Sequence, residues 1–77
     1  IIMDKYTIKS LILENFPSAD VLVEGEDGKY NAIVTCSDFS QKNTIERHKM
    51  IYEVLNPYIS SGEIHAISLK TYDRDEK

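Results

Sequence analysis

Cysteine is almost missing from this 77-residue chain: Cys36 stands alone, so no internal disulfide can form, and one thiol fits a reducing compartment. Histidine is nearly as scarce. His48 and His65 together with Cys36 do not make a structural zinc site, which takes four ligands at close spacing. No run of 18 apolar residues occurs, so no segment reads as a membrane-spanning helix. A basic, then apolar, then small-residue leader is lacking at the N-terminus, where Met3 is a candidate natural start behind Ile1 and Ile2. The compartment expected on these absences is the cytoplasm, or the mitochondrial matrix if the source is a eukaryote. Enzyme signatures are missing too. There is no Ser-His-Asp arrangement, no Gly-rich phosphate loop and no spaced carboxylate pair, so the expectation is a protein without catalysis.

Positive charge is in the minority. Thirteen acidic residues face nine basic ones, for a net charge of −4. That balance weighs against non-specific nucleic-acid binding, which depends on neutralising phosphates. Length sets a further limit. A chain this short buries roughly 60% of the surface it exposes when unfolded, which leaves one small core and no deep catalytic pocket. One domain over residues 1–77 is expected, with residues 1–3 and 73–77 frayed.

What is present falls into a clear order. "DKYTIKSLILEN", residues 4–15, places Tyr6, Ile8, Leu11 and Ile12 on one helical face, with Asp4 as the N-cap; Asn15 and Pro17 end that helix. Asp27-Gly28 is a strong hairpin signal, because a type I′ turn takes positive φ at both central residues. It joins a strand over 20–26 to one over 29–36. Val21 and Val23 share a face in the first strand, and Tyr30, Ala32, Val34 and Cys36 share one in the second. After the polar loop "SDFSQK", Asn43 and Glu46 form a capping box. The following helix carries its apolar face on Ile45, His48, Ile51, Tyr52 and Leu55, with Arg47, Lys49 and Glu53 off it. Pro57 is read as its stop, "PYISS" as a short separate turn of helix, and Gly62 as the break before a last strand. The second strand reaches the third through helices, a crossover that makes those two parallel and right-handed. The fold class is therefore α+β: a mixed three-stranded sheet covered on one face by helices.

His65 is the odd residue in this scheme. In "GEIHAISLKTY" it occupies the apolar parity of Ile67 and Leu69 at the start of the third strand. Parallel strands start at the same end. His65 should thus lie beside the hairpin "EGEDGK", and Cys36 a strand length away, roughly 20 Å at about 3.3 Å per residue. A Cys36–His65 metal pair is excluded on that geometry. One reading of His65 is a rim residue bonded to backbone; the other is a ligand open to an outside partner.

Three stretches taken together, "AIVTCSDFSQKN", "ERHKMIYEVL" and "GEIHAISLKTY", resemble the BolA family from about Leu11 to Tyr72. The resemblance implies an αββααβ sandwich similar to type II KH domains. It also implies a non-enzymatic partner of monothiol glutaredoxins that shares a [2Fe–2S] cluster, in iron regulation or cluster trafficking. The cluster is expected only in complex with glutaredoxin and glutathione, and the isolated chain is expected to be a monomer or weak homodimer. A family histidine ligand in the final strand matches His65. The family's second ligand, His or Cys in the first hairpin, has no counterpart: Lys29 stands near its place and is protonated near pH 7. Asp27 or Glu26 is the candidate oxygen ligand there, unless the partner supplies the missing one. Lys29, Arg47, Lys49 and Lys70 are candidate partner contacts. The competing function is a KH-like nucleic-acid-binding regulator, with Lys42, Arg47 and Lys49 on phosphate. Gln41 stands where the family carries a loop glycine, which counts against a KH-type grip. A plain interaction module without metal is the third reading. His48 and Cys36 are expected to be packing residues.

Overall fold

The computed structural model describes residues 3–76. Helix α1 spans Lys5–Asn15, and its N-cap Asp4 accepts the Thr7 N–H at 2.8 Å. That backbone bond holds the Asp4 carboxyl below its ordinary pKa. The cap is therefore fully present above the unfolded-state value and is lost as pH falls through the lowered folded one. Ile8 and Ile12 are buried as the periodicity requires, whereas Tyr6 is 70% exposed. Tyr6 lies in the first turn, where helical spacing alone cannot fix burial.

The hairpin follows the sequence closely. Strand β1 covers Asp20–Glu26 and β2 covers Lys29–Thr35. Asp27 and Gly28 have φ of 57° and 86°, the two positive values a type I′ turn demands. Strand β3, Ala66–Tyr72, pairs in parallel with β2, giving the order β1-β2-β3. The core lies between the inner sheet face and the helices. Val21, Val23, Ala32 and Val34 meet Ile8 and Ile12 of α1 and Ile51 and Leu55 of the second helix. Phe39 closes one end, its ring centroid 6.1 Å from that of Phe16.

Helix α2 spans Thr44–Ser60 and starts with the expected capping box, Asn43 and Glu46 each bonding the other's backbone N–H at 2.9 Å. Two expectations for α2 need correction. First, Pro57 does not stop it; the separate short helix is its last turn. Proline costs about 3 kcal/mol in a helix interior. Tyr58 and Ile59 pack, partly buried, against the core one turn beyond Leu55, and their buried apolar area offsets that cost at about 25 cal/mol per Å². Gly62 then takes φ of 85° just past the C-cap. Second, the buried stripe runs Arg47, Ile51, Leu55; Ile45 is 73% exposed and His48 only half-buried. Both 47 and 48 lie one turn before Ile51, and the Arg47 head group decides between them. Its Nε donates to the Lys42 carbonyl at 2.8 Å and its guanidinium carbon lies 6.0 Å from the Phe39 ring centroid. A long aliphatic stem with a satisfied head is stable there.

The segment 74–76, read as frayed, forms a 3₁₀ turn in which Arg74 pairs with Asp20 at 2.7 Å and donates to the Ser18 carbonyl. Met3 is likewise tied down, its N–H donating to the Glu63 carbonyl at 2.9 Å. Residues 1, 2 and 77 lie outside the described part. The loop before α2 keeps a glycine-like backbone although its residue is not glycine: Gln41 has φ of 63°. A side chain in that region costs about 1 kcal/mol. Gln41→Gly is expected to raise stability by about 0.5–1 kcal/mol in urea titration. Gly25→Ala is expected to lower it by more than about 2 kcal/mol, because the new Cβ would stand 2.2 Å from the Lys29 carbonyl oxygen.

Candidate functional site

The parallel register brings the start of β3 to the hairpin turn. Lys29 pairs with Ala66, so His65 falls opposite Gly28. The Gly28 carbonyl accepts the N–H of His65 at 2.7 Å and that of Ala66 at 2.9 Å. A Cβ on Gly28 would stand 2.9 Å from His65 Cγ and 3.0 Å from its Nδ1. The imidazole therefore rests on the bare Cα of Gly28, with its Nδ1 edge toward the turn. His65 itself is exposed. Parity placed it on the core-facing side, yet its neighbour Ile64 takes the core position at 1% exposure and the His65 ring covers a glycine at the rim.

The turn is held from beneath. The Gly28 N–H donates to the Tyr30 hydroxyl at 3.3 Å, and that hydroxyl donates to the Met3 carbonyl. Tyr30 is buried. A cavity of about 340 Å³ flanks the turn on this side, bounded by Met3, Tyr6, Gly25, Asp27 and Tyr30.

The other candidates divide by distance from His65. Lys29, Glu26 and Asp27 are exposed and share its end of the sheet. Lys70 is exposed but lies further along β3, opposite Ile33. Lys42 and Lys49 are exposed at the start of α2. Arg47 was expected on an exposed basic patch with them; it is 8% exposed, so neither a partner nor a phosphate meets it at the surface. Cys36 is buried at the opposite end of the sheet, where its N–H donates to the Tyr72 carbonyl. Among the described residues no group of three or more His, Cys, Asp or Glu side chains converges to hold a metal ion. Sequence reasoning missed Tyr30, Gly28 and Met3 as supports of this end. A tyrosine on an inward parity was the available signal, since a buried phenol needs a partner for its O–H.

A family model for BolA-like proteins matches residues 9–76. The chain belongs to the BolA family. A BolA homologue from Coxiella burnetii superposes with a TM-score of 0.85 at 33% identity, covering 97% of this chain and 96% of that one. A protein of Buchnera aphidicola is 39% identical over 91% of this chain and 89% of its own length. The acid stress protein IbaG of Escherichia coli is 26% identical over 91% of this chain and 83% of its own. These matches agree with the α+β architecture. No helix among the described residues is long and apolar enough to cross a membrane.

For this BolA-family chain the side of the turn that faces His65 must stay bare. Gly28→Ala should displace the imidazole and cost about 1–3 kcal/mol, because it adds a clash and sets an alanine at φ of 86°. Chemical denaturation measures the loss, and the His65 ring resonances in NMR report the displacement.

Proposed function

We propose that this chain is a non-enzymatic adaptor that binds a monothiol glutaredoxin and contributes His65 to a [2Fe–2S] cluster shared between them. The observation that carries this reading is an exposed imidazole whose own main chain is pinned, at 2.7 Å, to a hairpin carbonyl. A ligand must be accessible and already oriented, and His65 is both. Its Nδ1 edge lies over Gly28, so Nε2 is the nitrogen with open approach. A neutral imidazole ligates through one nitrogen while the other donates a hydrogen bond.

The donor set fits a shared cluster and does not fit one held by this chain alone. Such a cluster takes four protein-type ligands, commonly thiolates. The only thiol here is buried at the far end of the sheet. His65 is thus one ligand, and the remainder fall to glutaredoxin and glutathione, with Asp27 or Glu26 as the local oxygen alternative. When bound, a [2Fe–2S] centre with imidazole in place of thiolate has a raised potential. Lys29, paired with Ala66 beside the ligand, offers positive charge to a thiolate-rich partner.

His65→Ala should leave the fold within about 0.5 kcal/mol of the parent, since the side chain is exposed. Mixing the parent chain with cluster-loaded monothiol glutaredoxin should change the visible circular dichroism, and the variant should not produce that change. An unaltered spectrum with the parent, or the same alteration with His65→Ala, would sink the reading.

The nucleic-acid alternative is weakened by the burial of Arg47, which leaves Lys42 and Lys49 as exposed cations on that helix end. Two phosphate contacts limit the slope of log affinity against log salt to about −2. Titrations of duplex DNA at several salt concentrations should find a slope no steeper than that; a steeper one that flattens in Lys49→Glu would restore the alternative.

A further inference from the structure

Tyr30, which holds the turn from beneath, sits at the centre of the hydrogen bonds around His65. In a two-residue turn the N–H of the second central residue points away from the ladder between the flanking pair, here Glu26 and Lys29. That residue is Gly28, and the acceptor of its N–H is the Tyr30 hydroxyl at 3.3 Å. A hydroxyl has a single proton, and this one goes to the Met3 carbonyl. The polarity of the chain is therefore set: Gly28 N–H to Tyr30 oxygen, Tyr30 O–H to Met3 oxygen.

The path closes on itself. Met3 donates its own N–H to the Glu63 carbonyl at 2.9 Å, two residues before His65, and the His65 N–H returns to the Gly28 carbonyl at 2.7 Å. The backbone on both sides of His65 is held by groups that the phenol links. We propose that the Tyr30 hydroxyl is the positioning group for the His65 imidazole, fixing the Gly28 peptide on which the ring rests. The consequence for cluster sharing rests on the reading of His65 as a ligand; the positioning itself does not.

Tyr52 supplies the contrast. Its hydroxyl also donates to the β3 backbone, at the Ile67 carbonyl 3.3 Å away, but nothing joins it to Gly28. A merely structural tyrosine would behave alike at both positions. The test compares Tyr30→Phe with Tyr52→Phe in the full chain by NMR. The nuclear Overhauser contact between the His65 ring protons and the Gly28 α-protons should be lost in Tyr30→Phe and kept in Tyr52→Phe. With cluster-loaded monothiol glutaredoxin, the concentration of Tyr30→Phe giving half the circular dichroism change should rise roughly ten- to a hundredfold. That contact persisting in Tyr30→Phe, or vanishing equally in both variants, overturns the proposal. Should Tyr30→Phe fail to fold, the parent chain still decides: hydrogen exchange at the Gly28 amide should be slowed about tenfold or more, and exchange at the free-peptide rate overturns the proposal. If His65→Ala leaves the dichroism response intact, the ligand reading falls while the ring contact continues to judge Tyr30.

Discussion

The Gly28 carbonyl accepts two N–H groups, from His65 and from Ala66, and the arrangement of the whole hairpin end depends on that pair of bonds. They start the parallel ladder between β2 and β3. They also fix where the third strand begins, and so decide that His65 is the last residue outside it. Shift that register by one residue and every side chain of β3 would exchange faces. Leu69 would leave the core, and His65 would lose its seat on the bare Cα of Gly28.

Chain direction does the rest. Had β3 run antiparallel to β2, residue 65 would have come to the end occupied by Cys36, and a His–Cys pair would have been available within one chain. The crossover through α2 forbids this. It separates the only thiol from the exposed imidazole by the full length of seven register pairs. Cys36 is then a small apolar side chain in the core, with Ser18 Oγ 3.9 Å from its sulfur. Among the described residues that leaves an exposed imidazole at one rim and a buried thiol at the other, and on the proposed reading the imidazole completes a partner's site.

Most of the architecture was legible in the sequence because its signals are local. The Asp27-Gly28 turn, the Asp4 cap and the Asn43–Glu46 box each act within three residues, and each appears in the structure. The position of His65 followed from a topological rule. What could not be read depends on packing between distant segments. The rotation of α2 is set by Phe39 and by the Lys42 carbonyl, which claim Arg47 where periodicity favoured His48. The passage of α2 through Pro57 depends on where Tyr58 and Ile59 find the core. The Tyr30–Met3 bond joins residues 27 apart; the inward parity of Tyr30 signals that its hydroxyl needs a partner but not which one.

A small core also explains why the support at this site is mostly backbone, with the Tyr30 phenol as its side-chain member. Burying a metal centre takes walls of side chains and a second layer behind them, which a chain that hides only about 60% of its surface cannot supply. Main-chain hydrogen bonds need little volume. Gly28 fixes the His65 main chain with its carbonyl and leaves room for the ring by having no side chain. Under the proposal, precision at such a site would come from the closed path through Met3, Tyr30 and Glu63. Choice of partner would then come from the charged groups near the ring, among which Lys29, Glu26 and Asp27 are exposed. Charges on mobile side chains influence how often a partner arrives more than how tightly it stays. On the proposed reading, retention would fall to the bond made by the His65 imidazole, and its orientation would then matter more than the number of contacts around it.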